Sequence, residues 1–182
     1  MKKIFTILLG LSIGSAAFAQ DGAGSLHVFN DDSYHSLNLH YTLFTINPFI
    51  CGDGYQALGP NIPLPPGVKT TYVTFLKSSS FASTPHPYPI DNYWYNSTVV
   101  PATSISDAVA SKQRWAYMKF ELRDPNNPGL MNPTLGGSVG FYQNCMSSIP
   151  NYITGTSTLN GVNYAFKAEA VTFGGDLWIN VW

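Results

Sequence analysis

Thr156-Ser157-Thr158-Leu159-Asn160-Gly161-Val162-Asn163-Tyr164-Ala165-Phe166 sets two β-prone runs on either side of an Asn-Gly pair. A two-residue connection in which both residues need positive φ is the type I′ hairpin turn, and Asn-Gly is a favoured occupant. The stretch therefore predicts a tight antiparallel hairpin. Downstream, Gly174-Gly175-Asp176 turns the chain into a last strand, Leu177 to Trp182.

The same period-two alternation recurs toward the N-terminus, and helical periodicity is almost absent. Leu26 to Asn30 reads as a short strand ahead of the polar turn Asp31-Asp32-Ser33. The next segment places Leu37, Leu39, Tyr41 and Leu43 on one face and Asn38, His40 and Thr42 on the other. Phe44 and Ile46 then continue out of phase, which predicts a bulge or bend near Leu43-Phe44. Further strands are expected over Thr70 to Leu76, launched from Pro65-Pro66-Gly67, over Trp115 to Arg123, and over Val139 to Gln143. One short helix is expected over Ser106 to Gln113, capped by Ser106 with Asp107 at its positive end.

Two proline-rich stretches, Gly59 to Gly67 and Thr84 to Pro89, fit no central strand, because proline gives the ladder no donor. Lys77 to Val100 is expected to be one long Pro- and aromatic-rich loop. Many short strands, frequent turn signals and no long amphipathic helix make the fold class all-β. An antiparallel β-sandwich is the first architecture and a barrel the second.

Lys2 and Lys3, the apolar run Ile4 to Ile13 and the small-x-small sequence Ala17-Phe18-Ala19 form the pattern of a Sec-type bacterial signal peptide cleaved before Gln20. The expected organisation is a signal peptide over 1–19 and a single sandwich domain over 20–182, secreted or periplasmic. The apolar run is shorter than the roughly 20 residues of a membrane span, and none of that length follows it. Removing Lys2 and Lys3 from the nine basic residues leaves seven against ten acidic ones, a formal charge of −3. That balance offers no basic footprint for nucleic acid.

Cys51 and Cys145 are the only cysteines. In an oxidising compartment an even count reads as one disulfide. Closing so long a loop is worth about 4 to 5 kcal/mol in the chain-entropy model. Two lone cysteines lack the paired spacing of a zinc site.

Aromatic residues make up 14% of the chain and charged ones 10%, so ring faces are the most abundant candidate chemistry. Trp115 and Tyr117 alternate away from Met118 and Phe120; Trp178 and Trp182 flank Asn180, opposite Leu177, Ile179 and Val181. If these faces share one sheet, they form a platform of rings with an amide between them, suited to stacking on sugars and fixing hydroxyls. The competing reading is core or loop packing. Tyr88, Tyr93, Trp94 and Tyr95 form a second aromatic group beside Asp91 and Asn92, with Trp94 either a ligand contact or the plug that anchors the loop. Asn96-Ser97-Thr98 matches a glycosylation sequon but reads as polar loop.

Catalytic and metal signals are weak. His27, His35, His40 and His86 show no metal-ligand spacing, no Gly-x-Ser-x-Gly elbow is present, and Asp91-Asn92 lacks the calcium-loop pattern. Glu121 and Glu169 are the only glutamates, and Glu121 with Asp176 is the one glycosidase-like carboxylate pair to consider. No cofactor and no metal is expected. The sequence points to a non-catalytic binding protein whose partner is a glycan or another surface ligand. A structural or interaction protein of the cell surface or periplasm is the alternative, and a hydrolase without a recognisable motif comes third.

Overall fold

The computed structural model describes residues 23–32, 37–58, 63–75, 88–127, 134–144, 146–159 and 161–182. The expected signal peptide, Ser33 of the expected turn, His35, Leu76 of the expected strand, all of the expected loop before Tyr88 including His86, Cys145 and Asn160 lie outside the described residues. In chain order the elements are β1 (Leu26–Asn30), β2 (Asn38–Ile46), β3 (Gln56–Leu58), β4 (Val68–Tyr72), β5 (Asn92–Tyr95), β6 (Thr98–Pro101), a 3-10 turn (Ala102–Ser104), helix α1 (Asp107–Ala110), β7 (Arg114–Arg123), β8 (Gly136–Gly140), β9 (Tyr142–Asn144), β10 (Ser147–Ser148), β11 (Tyr152–Leu159), β12 (Val162–Phe173) and β13 (Asp176–Val181).

These strands form a five-stranded sheet, β11-β12-β13-β1-β4, a six-stranded sheet, β6-β5-β3-β2-β7-β8, and the small pair β10-β9. One hydrophobic core joins the two large sheets. Leu26 and Val28 of β1, Phe166, Ala168 and Ala170 of β12, and Leu177, Ile179 and Val181 of β13 meet Leu39 and Leu43 of β2, Tyr93 of β5 and Met118, Phe120 and Leu122 of β7. Alternation along each strand drives this, since one side of the pleat is apolar and goes inward. The molecule is all-β and sandwich-like.

Among the described residues the strand pairing is antiparallel except at one place. β1 runs parallel to β13, with Leu26 opposite Leu177 and Asn30 opposite Val181. The strands come from opposite ends of the chain, so no local turn announces the pair.

Turn chemistry sets the hairpins. β11 and β12 pair with Leu159 opposite Val162, and Gly161 takes φ 78°, as the expected tight turn requires. Gly174 and Gly175, at φ 63° and 91°, join β12 to β13 in the same way. A third two-residue hairpin lies within the sequon: Asn96 and Ser97 both have positive φ, and Tyr95 pairs with Thr98 across them. The expected long loop therefore ends earlier, since β5 and β6 occupy its last part.

Pro65-Pro66-Gly67-Val68 carries the residues of a type II turn, with Gly67 at φ 72° and the Val68 amide donating to the Pro65 carbonyl at 3.2 Å. β4 thus starts two residues before the expected Thr70. The expected helix over Ser106 to Gln113 is shorter: α1 ends at Ala110, and Ser106 holds the N-cap position without a side-chain hydrogen bond.

A buried polar knot ties the layers together at the end of β1. Asn30 is fully buried, and its amide nitrogen donates to the carbonyls of Leu37, at 2.9 Å, and Leu64, at 2.7 Å. Its Oδ1 accepts from the Asp32 amide at 3.2 Å, and Asp32 in turn accepts from Leu37 at 3.1 Å. Leu64 and Leu39 exchange backbone hydrogen bonds of 2.8 and 2.9 Å, so one amide links the exit of β1, the proline segment and the entry to β2. Replacing Asn30 with Ala strands the Leu37 carbonyl and leaves that of Leu64 with the Leu39 amide alone, and a loss of about 2 kcal/mol is expected in urea unfolding. An unchanged midpoint would show that the knot contributes nothing.

Tyr41 and Tyr72 meet across the core with their hydroxyl oxygens 2.7 Å apart. Burial first, then the neighbouring phenols and the shared hydrogen bond, raise Tyr41 well above its ordinary 10. Burial likewise pushes Tyr72 up to about 12 against the pull of its hydrogen bonds. An unfolded phenol ionises near 10, so above that pH the folded state holds protons that the unfolded state has released. Stability present below pH 10 is therefore expected to fall as the pH rises from about 10 to about 12, by about 1.4 kcal/mol per pH unit for each phenol that folding keeps protonated. Urea unfolding across that range, with Tyr72→Phe flattening the slope, checks this.

Candidate functional site

The six ring and amide candidates fall into three environments. Trp115 belongs to the core, 3% exposed, with its ring centroid 5.9 Å from Tyr72 and 6.0 Å from Phe75. The expected shared face of Trp115 and Tyr117 fails because β7 carries a bulge. Phe44 pairs with Tyr117 and Thr45 with Trp115, leaving Ala116 as the extra residue. The bulge turns Trp115 inward to the side of Met118 and Phe120, and leaves Ala116 and Tyr117 outward.

β2 itself keeps its alternation. Thr45 stays on the core side, donating to Gln113 Oε1 at 2.7 Å, while Phe44 and Ile46 simply belong to the other face. The irregularity expected at Leu43-Phe44 thus sits on the partner strand. Tyr117 is buried on the outer side of the six-stranded sheet, stacked on Phe44 at 4.2 Å and packed with Tyr142 and Ile149. Neither Trp115 nor Tyr117 belongs to an open platform.

Trp94 stands in β5, not in a loop. It is 42% exposed and pairs with Gln56 and Val99. Tyr93, 1% exposed and 4.7 Å from the Phe75 ring, is the residue that anchors this hairpin to the core. Register carries Trp94 through Gln56 and Phe44 to Tyr117, so both lie in one row on the outer side of the six-stranded sheet.

Trp178, Asn180 and Trp182 do share a face. They alternate with the buried Leu177, Ile179 and Val181 and line the outer side of the five-stranded sheet. Trp182 stays in register because it and Lys167 exchange backbone hydrogen bonds of 2.7 and 2.9 Å. Side chains from the neighbouring strands complete the surface. One row reads Val171, Trp178, His27, Thr71; the next reads Tyr152, Glu169, Asn180, Phe29, Lys69.

His27 fixes one end of this face. Its ring stacks on Trp178 at 3.8 Å, tilted by 19°. Nδ1 lies 2.9 Å from Thr71 Oγ1, and Nε2 lies 3.4 Å from Asp176 Oδ2. A carboxylate acceptor assigns the hydrogen to Nε2, so Nδ1 accepts from the threonine hydroxyl. Burial lowers the His27 pKa from 6.5, against the opposing pull of Asp176. Lys69 places its ammonium 5.3 Å from the Trp178 ring centroid.

The middle of the face is chemically open. Among the described residues, neither the Asn180 amide nor the Glu169 carboxylate beside it makes a hydrogen bond or ion pair. Tyr152 and Val171 are exposed, and Phe173 beyond them is 80% exposed. The outward residues of β1 and β12 are additions to the sequence-based candidates. Their signal is the same alternation: His27 and Phe29 against Leu26 and Val28, and Glu169 and Val171 against Ala168 and Ala170.

Other chemistry is dispersed. Glu121 pairs with His40 on the six-stranded sheet and accepts from Arg123 at 3.0 Å, whereas Asp176 borders the five-stranded sheet, so these carboxylates do not flank one cleft. Two clefts of about 240 Å³ lie away from the tryptophan face. One is bordered by Asp107, Gln113 and Arg114; the other by His40, Lys119, Glu121 and Arg123. Among the described residues no group of three His, Cys, Asp or Glu side chains is placed to hold a metal, and no helix is long and apolar enough to cross a membrane. No protein family, curated protein or solved structure matches this chain.

Proposed function

We propose that the chain is an exported, non-catalytic binding module that takes carbohydrate on the outer face of its five-stranded sheet. The observation that carries this reading is the row of Trp178, Asn180 and Trp182 beside Glu169. Two half-buried indoles stand on one outward face, and the side chains of an amide and a carboxylate between them make no hydrogen bond or ion pair among the described residues. Sugars present apolar C–H faces and hydroxyl edges, and these groups supply stacking for the first and acceptors or donors for the second. The sheet holds the four residues on a rigid ladder, so little ordering is needed on binding.

Titration of tryptophan fluorescence with oligosaccharides that score on a glycan array is expected to report saturable binding. Asn180→Ala should weaken it about fivefold, from about 1 kcal/mol for a neutral hydrogen bond. Trp94→Ala, on the opposite sheet, should leave it unchanged. Binding that is indifferent to Asn180 and lost with Trp94 would move the site to the other face.

A second reading, a protein partner or a second copy on the same face, is favoured by Phe173 and Tyr152, whose exposed rings border it. In that case sedimentation across a concentration series shows a dimer that Phe173→Ser dissolves, and the glycan titration stays silent.

Export and a Cys51–Cys145 bridge belong to the same proposal. No free cysteine occurs among the described residues. Protein recovered from the periplasm or medium of a bacterial host is expected to start at Gln20 and to give one peptide pair, containing Cys51 and Cys145, that separates only on reduction. An intact leader or alkylatable thiols without reduction would count against it.

A further inference from the structure

Resting on the carbohydrate reading, we propose that this face takes an extended oligosaccharide and has two separate stacking stations, Trp182 and Trp178. The two indoles are four positions apart on one strand, which at roughly 3.3 Å per residue separates their Cα atoms by about 13 Å. Strand geometry holds over that whole interval, because β13 is paired with β12 along its length and Trp182 is locked to Lys167 by the reciprocal 2.7 and 2.9 Å bonds. A single pyranose is comparable in size to one indole, so it reaches one station only. Several linked sugars reach both, passing over Asn180 midway and Glu169 one strand spacing, about 4.8 Å, to the side.

The stations are unequal. Trp178 has one ring face already occupied by His27 at 3.8 Å, and the Lys69 ammonium lies 5.3 Å from its centroid. Trp182 has no ring or cation contact among the described residues. A short ligand therefore engages Trp182 with the central amide and carboxylate, and a longer one extends to the stiffened Trp178. Among the described residues the surface is a sheet face with exposed side chains along its rim, which suits a chain segment better than an enclosed sugar.

The test is a length series of cello-oligosaccharides and chito-oligosaccharides, mono- to hexasaccharide, titrated into the full chain and followed by calorimetry and by the NMR signals of isotope-labelled indoles. Affinity is expected to rise about tenfold between disaccharide and hexasaccharide, equivalent to about 1.4 kcal/mol, as the second stacking station is reached. The Trp182 indole signal should move with every binding ligand, and that of Trp178 only with the longer ones. Trp178→Ala should flatten the length dependence; Trp178→Phe should restore part of it and keeps the test valid if the alanine variant folds poorly. Binding that is as tight for the monosaccharide as for the hexasaccharide overturns the two-station proposal and leaves the carbohydrate reading standing. No binding by any member of either series overturns both.

Discussion

The buried amide of Asn30 is the constraint on which the two-layer arrangement turns. It closes β1, an interior strand of the five-stranded sheet, and directs both of its N–H groups to backbone carbonyls of segments that belong to the other layer, Leu37 and Leu64. An apolar residue in that place leaves the Leu37 carbonyl without a donor away from water and the Leu64 carbonyl with the Leu39 amide alone, and buried polar groups are costly unless paired. The proline segment and the start of β2 are thereby held against the end of β1, and the Asp31 amide bond to the Val181 carbonyl at 2.6 Å fixes β13 at the same corner.

With that corner set, the composition of the outer face follows from register. β1 lies between β13 and β4, so the outward His27 and Phe29 fall beside Trp178 and Asn180, and Thr71 and Lys69 come next. β12 delivers Glu169 and Val171 on the other side. Five strands contribute to one surface, and none of them is adjacent in sequence except through the hairpins of β11, β12 and β13. Packing density inside adds rigidity: the Phe166 ring lies over Gly155, where a Cβ would collide with it, and meets Phe120 of the other sheet edge-on at 5.5 Å.

Most of this fold is legible in alternation and turn chemistry. The expected bounds of Leu26–Asn30 are the observed ones, and the expected faces of Leu177 to Trp182 hold because nothing interrupts the period of two there. Trp115 departs from its expected face by a single residue. The Ala116 bulge shifts the phase of β7, and alternation has no means of seeing an extra residue that shows only in the pairing with another strand. Trp94 escapes recognition as a strand residue because its strand is four residues long and its turn, Asn96-Ser97, carries no glycine. The parallel pairing of β1 with β13 has no local signature at all, and the places of His27 and Phe29 on the candidate face depend on it.

That parallel pair also has a mechanical meaning. The chain enters β1 at one end of the ladder and leaves β13 at the opposite end, so tension applied ahead of Leu26 and beyond Val181 runs along both strands in opposing directions. The rungs from Leu26 opposite Leu177 to Asn30 opposite Val181 then carry the load side by side in shear, and must yield together instead of peeling one after another. A tether attached at both ends of this domain would pull against its most resistant direction.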